Sequence, residues 1–227
     1  MKIGVFDSGA GGRSALAELR RLLNRIDTVF YADEKNAPFG GKAEGELVTL
    51  LARGLERLSL AGAEKILIAC CTASAVWDYL PQSLKDISVP IIEPTARLAA
   101  ACSKSGRIGV LSTEATRRSG AFVRSLSRLG CESVVCASAP ELVTLAERGA
   151  RDGALTDGDK EIIYRAASPL MACGVDTVVL GCTHFAYFER QIADILSCVT
   201  VNSARAGAEH IAKDIKNEGR GEVFYLT

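Results

Sequence analysis

The sequence predicts an α/β protein made of two pseudo-symmetric domains, each with a mainly parallel sheet flanked by helices. Short apolar strands alternate with amphipathic helical patterns along the chain, which is typical of parallel sheets with right-handed crossovers. Twice, at 66–75 and at 177–184, an apolar strand runs into cysteine and threonine before a helical pattern. The strand openings Ile3-Gly4-Val5 and Ile108-Gly109-Val110 repeat as well. This repetition indicates a duplicated unit whose two cysteines face one cleft.

The periodicity of apolar residues locates the individual elements. In chain order, the expected strands are 2–6, 28–32, 66–69, 89–92, 107–111, 133–136, 177–180, 199–201 and 222–226. Helical patterns follow at 16–23, 47–58, 73–81, 94–102, 117–129, 141–148, 158–169, 192–196 and 204–215. Prolines flank the short strand at 89–92, which suggests an edge or crossover segment. We expect a first domain of residues 1–95 plus 207–227 and a second domain of residues 96–206.

Composition limits the partners that this chain can have. Lys and Arg total 27, as do Asp and Glu, so no net charge favours nucleic acid or an anionic membrane. No apolar run is long enough to span a bilayer, and the chain enters a strand directly without a signal peptide. We therefore expect a cytoplasmic protein without nucleic-acid or membrane partners.

The eight cysteines form no CxxC pair and no zinc pattern, so we expect reduced thiols and no metal site. Five of them are most simply packing residues: Cys102, Cys131, Cys136, Cys173 and Cys198. Cys70 and Cys182 differ because each lies where a strand gives way to a helix. There the helix dipole would stabilise a thiolate and lower its pKa, although a single cysteine at such a place is more often buried filler. The pair, rather than either cysteine alone, indicates chemistry.

Asp7 is the other candidate for chemistry in the first half. It follows the first strand and opens the glycine-rich turn 7–12, at the sheet edge that Cys70 should share. The turn matches neither GxGxxG nor GxxxxGK[ST], so it does not predict a nucleotide loop. Alternatively, Asp7 only caps the helix that follows. The sequence leaves both interpretations open.

Five short motifs carry a resemblance to a known family. They are PheAspSerGlyAlaGlyGly (6–12), AlaAspGluLysAsnAlaProPheGly (32–40), AlaCysCysThrAlaSerAla (69–75), SerThrGluAlaThr (112–116) and GlyCysThrHis (181–184). In this order the chain resembles the glutamate racemases of the cofactor-independent aspartate/glutamate racemase superfamily. The resemblance spans nearly the whole chain and implies two α/β domains with the substrate between them.

The resemblance also implies roles for individual residues. Cys70 and Cys182 would be the two catalytic bases, Asp7 would assist Cys70, and His184 with Glu147 would assist Cys182. The residues implied in substrate binding are Asp7, Ser8, Phe39, Gly40, Cys71, Thr72, Thr113, Thr116, Thr183 and His184. The family further implies a small-molecule amino-acid substrate, no cofactor, a homodimer, and D-glutamate for peptidoglycan as the product.

Two thiols suit the inversion of an α-carbon. A proton must leave one face of the carbon and another must arrive on the opposite face, which one rigid base cannot do. Without pyridoxal phosphate as an electron sink, preorganised donors in a dry cleft must stabilise the carbanion. A desolvated thiolate is a strong enough base for this step.

The chain departs from the family pattern at four positions. Cys71 stands where the family usually has Asn, Phe39 replaces a Tyr, Ala43 replaces a Ser, and Asn202 replaces an Asp. A thiol is a weak donor and a poor acceptor compared with an amide. Losing one hydrogen bond to a charged substrate group costs about 1.5–3 kcal/mol. Either the substrate differs from glutamate or its binding is weak.

Three hypotheses therefore compete. The first is an amino-acid racemase that acts on glutamate. The second is a related lyase, decarboxylase or isomerase, although one-base chemistry would not need both Cys70 and Cys182. The third is a binding or regulatory paralogue that retains the cleft without turnover.

Overall fold

The computed structural model describes residues 1–152 and 155–226, with the side chains of 1–149 and 155–226. The chain divides into two compact units, Met1–Ile91 with Ala204–Thr227, and Ile92–Ser203. The predicted domain bounds, 1–95 with 207–227 and 96–206, lie a few residues from these; position 227 is outside the described residues. Each unit is a parallel sheet with helices, so the predicted α/β class is confirmed.

The described residues contain nine strands, eleven α-helices and four short 3-10 helices. The strands are β1 (Lys2–Asp7), β2 (Asp27–Ala32), β3 (Lys65–Ile68), β4 (Ser88–Pro90), β5 (Arg107–Ser112), β6 (Ser133–Ser138), β7 (Thr177–Gly181), β8 (Val199–Asn202) and β9 (Val223–Leu226). The α-helices are α1 (Gly12–Leu22), α2 (Glu44–Leu60), α3 (Cys71–Ser74), α4 (Gln82–Asp86), α5 (Ile92–Cys102), α6 (Glu114–Ser119), α7 (Ala121–Arg128), α8 (Pro140–Asp152), α9 (Asp157–Met171), α10 (Glu189–Leu196) and α11 (Ser203–Ala212). The 3-10 helices are Glu34–Asn36, Phe39–Gly41, Trp77–Tyr79 and Thr183–Phe188. None of the described helices is both long and apolar enough to cross a membrane.

The two sheets repeat one strand order. The first sheet runs β4-β3-β1-β2-β9 and the second runs β8-β7-β5-β6, with every pair parallel. In this correspondence β1 matches β5, β3 matches β7 and β4 matches β8. The internal duplication that the repeated strand–Cys–Thr pattern predicted is therefore present in the topology. It also places the ends of β3 and β7 at equivalent positions.

Helix α2 supplies much of the apolar cover of the first sheet. Four of its leucines are buried in one cluster with Phe6 of β1: Leu47, Leu51, Leu55 and Leu58. Gly54 of the same helix has no side chain, which lets α2 approach the Phe6 ring closely. Phe6 in turn packs against Phe39, with ring centroids 6.3 Å apart. This packing fixes the end of β1, from which Asp7 extends.

Several predicted helix limits are wrong. The helix after Cys70 does not run to residue 81: α3 ends at Ser74, whose hydroxyl donates to the Ile68 carbonyl and accepts from the Ile91 N–H. These bonds tie the end of α3 to the sheet and direct the chain into a turn.

The second wrong limit concerns α9, which extends through both Gly158 and Pro169 rather than between them. Thr156 and Asp159 form a capping box around the first turn, which contains Gly158. Pro169 leaves the Arg165 carbonyl without its helical donor, and the Ser168 hydroxyl donates to that carbonyl instead. Local side-chain hydrogen bonds therefore outweigh the helix-breaking tendency of both residues.

The last helix also differs from the prediction. Asn202 ends β8, and α11 spans Ser203–Ala212 rather than 204–215. The Asn202 amide donates to Glu189 of α10 at 3.0 Å. This contact between side chains distant in the chain is not visible in the local pattern.

The contact between α2 and Phe6 yields a test of the fold. Gly54→Ala should lower the free energy of unfolding by about 1–3 kcal/mol, because the added methyl group overlaps the Phe6 ring. Gly45→Ala on the same helix is the matched control, since a methyl group there meets nothing within 4 Å. It should leave stability unchanged or raise it by up to about 1 kcal/mol. Urea denaturation followed by circular dichroism measures both, and equal stability of the two variants would contradict the packing described.

Candidate active site

The first cluster of candidate residues lies at the carboxyl edge of the first sheet. β1 and β3 are adjacent and parallel, with Phe6 opposite Ile68, and the Ala69 N–H donates to the Phe6 carbonyl at 2.8 Å. Asp7 and Cys70 follow directly from these paired residues. The predicted neighbourhood of Asp7 and Cys70 thus follows from strand register, since adjacent parallel strands end at the same edge.

Cys70 is buried, with 6% of its surface exposed, and caps the short helix α3. Its sulfur lies 3.3 Å from the Ser8 hydroxyl oxygen and accepts from the Ala73 N–H at 3.5 Å. Ser8, which the sequence implicated in substrate binding, is therefore also a direct partner of the thiol.

The protonation state of Cys70 differs from the sequence-based expectation. Burial, and after it the negative charge of Asp7, raise the pKa of the Cys70 thiol to about 11. Hydrogen bonds from Ser8, Ala73 and Thr72 oppose this rise but do not overcome it. The expected lowering of the pKa by a helix N-terminus is wrong here. The physical reason is that α3 has only four residues, so its dipole is small, whereas desolvation of the thiolate is nearly complete.

Asp7 is fully buried, and its carboxylate accepts a hydrogen bond from the Gly9 N–H at 2.9 Å. The alternative that Asp7 caps the following helix is wrong, because α1 begins after Gly11 and no side chain caps it. Gly12 lies so close to Asp7 that any side chain at position 12 would overlap the aspartate. The glycine-rich turn thus serves to let α1 approach the carboxylate.

The other predicted residues of this cluster come from two neighbouring segments. The 3-10 helix Phe39–Gly41 packs against α3, which carries Cys71 and Thr72. Cys71 and Thr72 are buried, and Phe39 is 1% exposed with its ring against Phe6. The structure therefore brings Phe39, Gly40, Cys71 and Thr72 to the sheet edge that holds Cys70. The Phe39 ring belongs to the apolar core, so the polar groups of the segment Phe39–Gly41 are those of its main chain.

The second cluster lies at the end of β7. Cys182 is buried and directly precedes the 3-10 helix Thr183–Phe188, so an α-helix does not follow it directly. Its sulfur lies 3.8 Å from Nδ1 of His184. On the other side of the imidazole, Nε2 lies 3.6 Å from Oε1 of Glu147 and makes no hydrogen bond to any described residue. Glu147, His184 and Cys182 therefore form one line of titratable groups.

Burial and charge act on His184 in opposite directions. Burial lowers the pKa of His184 below its ordinary value, and the Glu147 carboxylate opposes that shift by raising it. Because burial is the larger effect, the neutral imidazole is favoured at physiological pH. His184 is thus placed to exchange a proton with the adjacent thiol. The second histidine, His210, is exposed on α11.

The threonines of the second unit lie beside Cys182. β5 is adjacent to β7, with Ser112 opposite Gly181, so Thr113 emerges at the same edge as Cys182. Thr113 caps α6: its hydroxyl accepts from the Thr116 N–H and donates to the Thr116 hydroxyl at 3.0 Å. Thr113, Thr116 and Thr183 are all buried. The second unit therefore offers a group of hydroxyls where the first offers Asp7 and Ser8.

Sequence reasoning did not identify three residues that support these clusters. Ser74 anchors the helix after Cys70, Gly12 makes room for Asp7, and Ser203 donates to the Leu180 carbonyl near the end of β7 at 2.6 Å. For Ser74, the only sequence signal is its position just after the strand-end motif. All eight cysteines are free, and the described residues contain no group of His, Cys, Asp and Glu that could hold a metal ion.

Known proteins resemble this chain in sequence and in fold. A family model described as Asp/Glu/Hydantoin racemase matches residues 22–211. A glutamate racemase from Aquifex aeolicus is 36% identical over 233 residues, which is 100% of this chain and 89% of that protein. One from Herpetosiphon aurantiacus is 40% identical over 195 residues, 85% of this chain and 75% of that protein.

A solved structure shares the whole architecture. The crystal structure of glutamate racemase isoform RacE1 from Bacillus anthracis superimposes with a TM-score of 0.88 at 27% identity. The match covers 98% of this chain and 86% of that one. With two thiols at equivalent strand ends of the two units, these similarities show that the chain belongs to the Asp/Glu/hydantoin racemase family, among the glutamate racemases.

Proposed function

We propose that this chain is a cofactor-independent isomerase that interconverts L- and D-glutamate by proton transfer at the α-carbon. The observation that carries the proposal is the pair of buried thiols at equivalent strand ends, Cys70 after β3 and Cys182 after β7. Each has its own titratable neighbour, Asp7 for the first and His184 for the second. The relatives that match most of the chain are glutamate racemases.

In the proposed enzyme the two domains, 1–95 with 207–227 and 96–206, hold the substrate in a cleft between them. One thiolate removes the α-proton: the Cα–H bond breaks, an S–H bond forms, and the electron pair stays on the α-carbon and its carboxylate. The other thiol then delivers its proton to the opposite face, so that its S–H bond breaks and a new Cα–H bond forms. Atoms and charge balance, and the two thiols end in exchanged protonation states.

Cys70 and Cys182 therefore need opposite protonation states before each turnover. Because its pKa is high, Cys70 is protonated in the enzyme without substrate. Its deprotonation requires a proton acceptor or a nearby cation. The ammonium group of a bound amino acid would supply such a positive charge and offset the effect of Asp7. For Cys182, the neutral imidazole of His184 would accept the thiol proton, and Glu147 would stabilise the resulting imidazolium.

Substrate recognition would use the polar groups around each thiol. In the first domain these are Ser8, Thr72, Cys71 and the main chain at Phe39 and Gly40. In the second domain they are Thr113, Thr116, Thr183 and His184. Hydroxyl and main-chain donors in a site without water would stabilise the charge that develops on the carboxylate during proton removal.

The cellular role that we propose follows from the glutamate racemase assignment. D-Glutamate made by this enzyme would enter peptidoglycan in the cytoplasm of a cell-wall-forming bacterium. We also propose that the enzyme acts as a homodimer.

A second candidate function is racemisation of a different amino acid by the same two thiols. Cys71 and Phe39 favour it, because they replace polar residues that the family usually has beside the substrate. Both are buried, so neither position can recover a lost hydrogen bond from bulk water. Both candidate functions use the same proton transfer at Cα. They differ only in the residues that recognise the side chain of the substrate.

Loss of either thiol tests the two-base proposal. Cys70→Ser and Cys182→Ser should each abolish glutamate racemisation, measured by circular dichroism of L- and D-glutamate without added cofactor. Each variant should still exchange the α-proton of one enantiomer with deuterium from solvent, observed by NMR, because the remaining thiol faces that proton. The exchanging enantiomer should be opposite for the two variants.

Cys131→Ser is the matched control, since Cys131 is buried but remote in sequence from either strand end. Its racemisation rate should equal that of the unaltered chain. Normal racemisation by Cys70→Ser or Cys182→Ser would rule out the two-base mechanism, and equal exchange of both enantiomers by each variant would do the same.

The electrostatics of Cys70 give a second test. Asp7→Asn removes a charge that raises the Cys70 pKa, so the thiolate fraction at pH 8 should increase. Alkylation of Cys70 by iodoacetamide, followed by mass spectrometry, should become faster, while turnover falls unequally in the L→D and D→L directions. Ser8→Ala removes a hydrogen bond that lowers the pKa, so alkylation should become slower. Thermal melting controls for unfolding, and changes of the same sign in both variants would contradict the assignment.

Restoring the family residues beside Cys70 tests the substrate. If Cys71 and Phe39 only weaken glutamate binding, Cys71→Asn with Phe39→Tyr should raise kcat/KM for glutamate by about tenfold or more, since each can add a hydrogen bond to a charged group. Cys173→Asn, at a cysteine outside both clusters, is the control and should change nothing. A double variant that loses activity on glutamate would show that Cys71 and Phe39 take part in recognition themselves. A double variant that loses its activity on another amino acid would favour the second candidate.

A further inference from the structure

The Glu147 carboxylate lies beside His184 although its own contacts there are weak. The Glu147 side chain is 49% exposed, and among the residues that the structure describes its polar contact is the 3.6 Å approach to Nε2 of His184. Because the neutral imidazole is favoured, no charge on His184 holds the carboxylate in this place. An exposed side chain with so weak a contact samples several rotamers. The position of Glu147 therefore depends on how helix α8 is held.

Apolar packing holds α8 only up to the residue before Glu147. Next to the start of α8, the Ala139 N–H donates to the Ser112 carbonyl at 2.9 Å. Further along, α8 packs against the 3-10 helix Thr183–Phe188, and its apolar side chains are buried in one cluster with that helix: Leu142, Leu145 and Ala146. None of residues 147–149 is buried. A different interaction has to fix the helix where Glu147 extends from it.

An ion pair between α8 and α9 supplies that interaction. The Arg148 guanidinium pairs with the Asp159 carboxylate of α9. The Asp159 side chain is only 7% exposed, and its Oδ2 accepts from the N–H and the hydroxyl of Thr156, both at 2.8 Å. The Thr156 main chain, the Thr156 hydroxyl and Arg148 lower the pKa of Asp159 despite its burial, so the carboxylate is ionised at neutral pH. A buried carboxylate with three donors is a firm anchor for the arginine.

Helix α9 gives this anchor a fixed position in the second unit. Its apolar side chains belong to the same buried cluster as Cys182: Ile163, Ala166 and Leu170. Glu147 and Arg148 are consecutive in α8, so their side chains leave the helix about 100° apart. One reaches His184 and the other reaches α9. Fixing Arg148 therefore fixes the backbone from which Glu147 extends.

We propose that Arg148 and Asp159 are positioning residues of the racemase, whose ion pair fixes α8 and so keeps Glu147 beside His184. Neither residue contacts Cys182 or His184. When His184 accepts the Cys182 proton, the carboxylate held in this way stabilises the imidazolium. The inference rests on the proposed function for the catalytic role of His184, whereas the placement of Glu147 can be measured without turnover.

The titration of His184 reports where Glu147 lies. The elements packed against the 3-10 helix that carries His184 are α8, α10, β7 and β8. Cys182 follows β7, and its sulfur lies 3.8 Å from Nδ1. Glu189 of α10 accepts a hydrogen bond from Asn202 of β8 at 3.0 Å. Among the described residues, Glu147 is the charged group that shifts the pKa of His184, and it raises that pKa against the effect of burial.

NMR titration of the full chain tests the proposal without relying on racemase activity. The chain has two histidines, so His210→Gln identifies the signal of His184. Arg148→Gln and Asp159→Asn remove opposite charges, so charge effects alone would move the His184 midpoint in opposite directions. Loss of the ion pair instead releases Glu147 in both variants, and both should move the midpoint to lower pH. In a Glu147→Gln background, Arg148→Gln should cause no further fall.

Two variants serve as controls. Arg148→Lys keeps a cation that can pair with Asp159, so the midpoint should stay close to that of the unaltered chain. Arg165→Gln removes an exposed arginine of α9 that pairs with Glu161, and it should not move the midpoint. Circular dichroism should show all variants folded. In the racemase assay, Arg148→Gln should lower kcat by about 1.5- to fivefold, the value of one exposed ion pair, in the direction in which Cys182 removes the proton, with little change in KM.

The possible results separate this inference from the proposed function. A His184 midpoint that rises or stays the same in Arg148→Gln would overturn the positioning role. A further fall when Arg148→Gln is added to Glu147→Gln would overturn it as well, because Arg148 would then act other than through Glu147. If the midpoint falls as expected in a chain that does not racemise glutamate, the positioning role stands and the proposed function is refuted.

Discussion

The parallel pairing of β1 with β3, and its repetition by β5 with β7, is the constraint on which the candidate site depends. Because the strands are adjacent and parallel, residues that follow them in the chain emerge at one edge. Asp7 comes to Cys70 in the first unit by this route, and Thr113 comes to Cys182 in the second. The same pairing explains why residues more than sixty positions apart can act together.

Burial of the thiols has two opposing effects on proton transfer, and neighbouring groups change their balance. A buried thiolate is a stronger base than one in water, but burial also makes it harder to form. The Ser8 hydroxyl and the main-chain N–H groups of α3 lower the pKa of Cys70, while Asp7 raises it. The two halves solve the problem differently, since Cys182 has a histidine at 3.8 Å rather than a carboxylate as its prominent titratable neighbour. The duplicated fold therefore carries two chemically different thiol environments.

Glycine and serine make these environments possible. Gly12 lets α1 approach Asp7, and Gly54 lets α2 approach Phe6, the residue before Asp7. The Asp7 carboxylate is therefore buried. Ser74 fastens the short helix behind Cys70 to the sheet. These residues have no chemical role of their own, yet each removes a steric or hydrogen-bonding conflict beside a group that does.

The sequence by itself determined the α/β class, the internal duplication and most strand positions, because alternation of apolar residues depends on local periodicity alone. It also singled out Cys70 and Cys182, since strand-end motifs are local and repeat, whereas His184 came from the resemblance to a known family. What only the tertiary structure decided depends on contacts between segments distant in the chain: the early end of α3 and the raised pKa of the Cys70 thiol. Desolvation and hydrogen bonding by distant groups override local propensity at these places, and no sequence window contains both partners.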